Sequence, residues 1–302
     1  MTYVSDLLLQ IVDAADTRRR VRDECLRLLE PLEPIEQAQL RPLLGYYGGK
    51  CMGYPAIWAV SRALGLDTER EAWLIAQVRA TLFINITTSI VDDLFDQDES
   101  AQVEHLGVLY LLIFEAMLTA QWSPDFAAPA RTAFVRAWRN VTQRVEVHDA
   151  KAIRVRGQRI GAFFALTAEA CAAALDLPAE RTRILVDLIE SFGNLCGHID
   201  DVLDVATDLA RGETANAVLL ALGGDQGGDP ALMEARLASP GGRQTTERFL
   251  ADEFEAVARA AEAAGCAELA KSLRGAGTKV FEFLPLDWNA MAPGQMSQPV
   301  AI

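Results

Sequence analysis

Two stretches of this chain run apolar for four or more helical turns and then end in the same acidic pattern. The first, Ala72 to Val91, contains neither proline nor glycine and leads into Asp92-Asp93-Leu94-Phe95-Asp96. The second, Ile184 to Ile199, leads into Asp200-Asp201-Val202-Leu203-Asp204, with Asp208 beyond it. On a helix, residues four apart lie one above the other. Asp92 and Asp96 therefore share a face, with Asp93 about 100° away at its edge, while Asp200, Asp204 and Asp208 form one stripe.

Carboxylates crowded on a helix built for a core repel one another and lose hydration unless a cation neutralises them. Sets of oxygen ligands suit Mg²⁺, which is commonly shared between carboxylates and substrate phosphates. A single Asp-Asp-x-x-Asp also arises on solvated helix ends. The second copy changes the balance: two such patches facing one cavity can hold Mg²⁺ and a diphosphate between them.

In these motifs the sequence resembles the trans-isoprenyl diphosphate synthases and the class I terpenoid synthases related to them, over roughly residues 40 to 220. Asp92, Asp93 and Asp96 match the first aspartate-rich motif of that family. Asp200, Asp201 and Asp204 match the second, with Phe192-Gly193 at the usual distance upstream. The resemblance implies metal ligation by Asp92, Asp93, Asp96, Asp200, Asp204 and Asp208, with Asp201 in the catalytic set. It also gives Lys50 of Gly48-Gly49-Lys50 and Arg159 as diphosphate-binding cations. Asn85 stands where the elongating enzymes carry a histidine that helps bind isopentenyl diphosphate.

The departures from the family pattern are specific. Cys51-Met52-Gly53 replaces the basic residues expected after Gly-Gly-Lys, and Gln97 to Gln102 holds no Arg or Lys. Gly197 replaces a glutamine, and Glu213 a lysine. The metal half of the site is kept while much of the cationic half for the five-carbon co-substrate is missing, so the chain reads as a divergent member not built for ordinary elongation.

The expected fold is all-α, one helical bundle around a central cavity over residues 1–289, with 290–302 a disordered tail. Abundant alanine and leucine favour helix. The first helices carry Arg18-Arg19-Arg20 at a solvated junction. A helix from Gln37 breaks at Tyr46-Tyr47-Gly48-Gly49, whose glycines let backbone N–H groups approach an anion. One long helix spans Glu71 to Asp96, and further helices cover 105–122, 127–148, 151–175, 181–209 and 244–275. Residues 223–230 and 239–242 read as loops. Phe83, Thr87, Thr88, Phe95, Phe114, Phe163 and Phe192 are candidates for an apolar pocket that binds the prenyl chain. Asn216 is placed either to touch diphosphate oxygens or to cap a helix.

A formal net charge of −14 argues against nucleic acid, whose phosphates need clustered Lys and Arg. No membrane span or signal peptide is evident. The five cysteines lack any Cys-x-x-Cys pair and read as reduced core residues of a cytoplasmic protein. The three histidines form no zinc set, and His198 faces away from Asp200 as a packing residue. The function expected is Mg²⁺-dependent ionisation of an allylic prenyl diphosphate with transfer of the prenyl cation to an acceptor. The alternatives are a class I terpene cyclase and a non-catalytic subunit of a prenyl diphosphate synthase. The family resemblance further implies a homodimer.

Overall fold

The computed structural model describes residues 12–95, 150–210, 216–222 and 230–283, together with positions 108, 112, 113 and 135. The helices expected at 105–122 and 127–148 otherwise lie outside the described residues, as does the tail 290–302. All regular structure described is helical: α1 Ala15–Leu26, α2 Pro34–Lys50, α3 Gly53–Leu64, α4 Thr68–Gln77, α5 Arg79–Phe95, α6 Ala150–Ala174, α7 Ala179–Ala210, α8 Ala217–Ala221, α9 Pro230–Leu237, α10 Pro240–Ala263 and α11 Ala267–Phe283. No helix among the described residues is long and apolar enough to cross a membrane.

The centre is the pair α6 and α7, the most extensive helix contact described. A short turn joins them, with Asp176 in the left-handed region at φ 50°, so they run antiparallel. Their closest approach uses two glycines. A Cβ on Gly161 would stand 2.5 Å from the carbonyl oxygen of Glu190, and one on Gly193 would stand 2.9 Å from Gly161 Cα. No larger residue fits there without moving a helix.

Helix α3 lies across this pair. The Trp58 ring packs on Phe192 at 5.6 Å between centroids, and Phe192 meets Phe164 edge-on at 6.1 Å. Each such buried aromatic contributes roughly 1.5–3 kcal/mol by area alone. Helix α5 is tied to α6 by Asn85 Nδ2, which donates to Thr167 Oγ1 at 2.8 Å inside the core. The α10–α11 hairpin closes the other flank, with His198 Nδ1 3.0 Å from Glu253 Oε2 and its ring against Phe249. His198 thus does more than pack, since its ring nitrogen ties α7 to α10 through Glu253.

Four local expectations are corrected. The arginine triplet lies in mid-helix on α1, not at a junction, because Arg18 and Arg20 turn inward: Arg18 Nε donates to Gly49 O at 2.7 Å, and Arg20 pairs with Glu71, which also accepts from Thr17 Oγ1 at 3.0 Å. Helix α2 runs through Gly48 and Gly49 to Lys50, ending at Cys51. The helix from Glu71 to Asp96 is divided at Val78, whose φ of −97° and ψ of 12° end α4. Residues 239–242 start α10 instead of forming a loop, since Ser239 Oγ accepts from Gly242 N at 3.0 Å with Pro240 in the first turn.

Candidate active site

Helix α7 buries Ile199, Val202 and Val205 on its core side. Asp200 and Asp208 are half-buried, two turns apart on the stripe read from the sequence. Asp201 is 5% exposed, and its Oδ2 accepts from Ala217 N at 3.1 Å, so this carboxylate serves the start of α8. Asn216 sits between them, fully buried. Its Nδ2 donates to Asp208 Oδ2 at 2.9 Å and to the Asp201 carbonyl, while its Oδ1 accepts from Val218 N at 2.9 Å and Leu219 N at 3.4 Å. Of the two roles open to Asn216, the helix cap is the one its amide fulfils.

The donor set along α7 is carboxylate oxygen throughout, which fits Mg²⁺. Among the described residues no three His, Cys, Asp or Glu side chains converge as a metal site. The side chains of Asp92, Asp93 and Asp204 and the whole of Asp96 lie outside that set, as do the side chains of Arg159 and Phe95. The backbone of α6 nevertheless carries Arg159 two residues before Gly161, and that of α7 carries Asp200 seven residues after Gly193. Because the two helices run antiparallel and cross at those glycines, both positions lie toward the same end of the pair.

Upstream on α5, the Thr87 hydroxyl donates to Ile84 O at 2.7 Å and the Thr88 hydroxyl to Asn85 O at 2.9 Å. Both hydroxyls are spent on their own helix, leaving the methyl groups to face neighbours. Asn85 is fully buried, and its Oδ1 has no hydrogen-bond partner among the described residues. Phe83, Phe163 and Phe192 are 0–3% exposed and packed in the core. Phe114 lies outside the described residues.

Lys50 is the last residue of α2 and only 7% exposed, its Nζ 4.3 Å from the Tyr46 ring centroid. The glycines before it have a different purpose from the one the sequence suggests. Within a helix their N–H groups are directed to carbonyls four residues back, not to an anion. What they provide is clearance: a Cβ on Gly48 would be 3.4 Å from Arg22 Cα, and one on Gly49 would be 3.3 Å from Arg18 Nη2. Arg18 was invisible as a site neighbour in the sequence, because nothing local says which helix lies against Gly49.

The cysteines are all free and buried. Burial pushes the Cys51 thiol up to about 12, and its Sγ lies 3.6 Å from Leu82 O. Cys196, one turn before Asp200, is raised first by burial and then by the Asp200 charge.

No protein-family model matches the chain, and no curated protein matches it at a significant level. Among solved structures it is similar to the crystal structure of a polyprenyl synthase from Caulobacter crescentus CB15 complexed with calcium and isoprenyl diphosphate. The two are 19% identical, with a TM-score of 0.59, over 93% of this chain and 98% of the other. The chain thus has the all-helical fold of that polyprenyl synthase.

Proposed function

We propose that the protein is an enzyme that ionises an allylic prenyl diphosphate, releases pyrophosphate and transfers the prenyl cation to an acceptor other than isopentenyl diphosphate. What supports this is a polyprenyl-synthase fold in which the sequence ends both α5 and α7 in acids, Asp92 and Asp93 on the one and Asp200, Asp204 and Asp208 on the other. The binding of isoprenyl diphosphate and a divalent ion by the structural neighbour supports the ligand class.

Asp92, Asp93 and Asp96 on one side and Asp200, Asp204 and Asp208 on the other would hold Mg²⁺. When bound, Mg²⁺ supplies the positive charge that stabilises a departing pyrophosphate. Lys50 and Arg159 bind the diphosphate oxygens, Lys50 with its Nζ over the Tyr46 ring. As the C–O bond breaks, its electron pair leaves with pyrophosphate and the allyl carbons become cationic. The apolar side chains of α5 and α6 keep water from that cation until the acceptor reaches it. The loss of basic residues after Lys50 and after Asp96 argues against a second diphosphate as that acceptor.

One observation favours a second reading. With Asp201 engaged by α8, the acids remaining in the second motif fall at positions 200, 204 and 208, a spacing like the metal triad of class I terpene cyclases.

Incubating the purified protein with Mg²⁺ and geranyl, farnesyl or geranylgeranyl diphosphate tests both. Pyrophosphate release that requires an added acceptor supports transfer, and hydrocarbon formed without one supports cyclisation. Asp92→Asn and Asp200→Asn should each slow release roughly 100-fold or more. Donors that all stay intact, with or without acceptors, would sink both readings, and turnover only with a partner chain would identify a subunit.

A further inference from the structure

Resting on the metal reading of α7, we infer that Asn216 is a positioning residue: it aims the Asp208 carboxylate along the acid stripe by clamping the end of α7 to the start of α8. Every hydrogen-bonding atom of the Asn216 amide is engaged. Nδ2 reaches Asp208 Oδ2 at 2.9 Å and the Asp201 carbonyl, and Oδ1 caps α8 through Val218 N and Leu219 N. The clamp is doubled by Asp201, whose carboxylate accepts from Ala217 N at 3.1 Å. Asn216 is fully buried and Asp201 nearly so, so water cannot readily replace either bond.

The division of labour follows from these bonds. Of the consecutive acids Asp200 and Asp201, one is turned inward to anchor a helix. Asp208, two turns on, accepts one amide hydrogen on Oδ2, which fixes its plane and keeps it from swinging into solvent. Partners of this kind fix ligating carboxylates, and their loss typically costs about 10–100-fold in metal affinity. Nothing in the spacing Asp200-x₃-Asp204-x₃-Asp208 announces a residue eight positions further on as part of the same arrangement.

The test is Mn²⁺ uptake by the full chain in the presence of inorganic pyrophosphate, read by electron paramagnetic resonance of the free ion. Asn216→Ser keeps a capping hydroxyl for α8 but cannot reach Asp208. It should weaken Mn²⁺ binding about 10-fold or more at wild-type circular dichroism. Asp208→Ala should weaken it similarly, and the double variant should lose no more than Asp208→Ala alone. Additive losses, or an Asn216→Ser protein that binds as tightly as wild type, would overturn the role of Asn216 while leaving the stripe standing. A wild type that takes up no Mn²⁺ would overturn the stripe as well. If Asn216→Ser does not fold, Asn216→Thr repeats the measurement. If neither folds, Asn216 holds the fold instead of aiming Asp208, and the inference fails.

Discussion

Gly161 on α6 lies directly against the Glu190 carbonyl of α7, leaving no room for a methyl group between the helices. The added carbon of Gly161→Ala would stand 2.5 Å from that backbone oxygen and 2.5 Å from Asn194 Oδ1. The Asn194 amide can turn aside but the Glu190 backbone oxygen cannot, so the helices must separate. The expected cost is about 1–3 kcal/mol, read as a lower urea midpoint at unchanged slope. Gly275→Ala, at an exposed position of α11, meets nothing within 4 Å among the described residues and should instead stabilise by roughly 0.4–1 kcal/mol. Equal effects at the two sites would mean that the α6–α7 contact is looser than described.

The bond from Asn85 Nδ2 to Thr167 Oγ1 gives a second expectation. Thr167→Val keeps the shape of the side chain but removes the acceptor, leaving a buried amide with both ends unmatched, since Asn85 Oδ1 has no partner among the described residues. A loss of about 1–3 kcal/mol is expected. Asn85→Leu with Thr167→Val, which removes both partners, should recover part of it in a double-mutant cycle. No coupling between the two sites would show that the bond contributes nothing.

On the surface, Arg274 links α11 to Glu255 and Glu262 of α10. Its hydrogen bonds lower both carboxyl groups from their ordinary value of 4.5. A depressed acid stabilises the folded state above its unfolded pKa and loses that contribution as pH falls through the folded value. Stability should therefore drop as pH falls below about 4.5, and Arg274→Gln should flatten that limb while changing the melting temperature near neutrality only slightly, because exposed pairs are weak. An acid limb identical in the variant would count against the network.

The cysteines set the opposite limb. Cys51 is raised from 9.0 to about 12 by burial, so its neutral form is favoured by folding. That contribution is whole below pH 9.0 and disappears as pH rises toward about 12. Native protein should react slowly with a thiol reagent at pH 8, and all five cysteines should react once it is unfolded. Fast labelling of Cys51 in the native state would contradict its burial.

The two apolar runs and their acid ends can be read directly from the chain, because helical period and the clustering of like charges are local properties. They were sufficient to indicate an all-helical bundle and to place Asp200 and Asp208 on one stripe. Where the helices break was not local. Val78 divides the long run, and α2 continues through Gly48 and Gly49, because packing against α1 outweighs the poor helix propensity of glycine. Nor could spacing reveal which polar group a side chain finds. Two acid-ended helices follow from residue order alone. That Asp201 anchors α8, that Asn216 holds Asp208 and that Arg18 crosses to Gly49 follows from packing between helices, since each partner lies on a neighbouring helix or beyond a turn and is chosen by burial, where an unmatched polar group is costly.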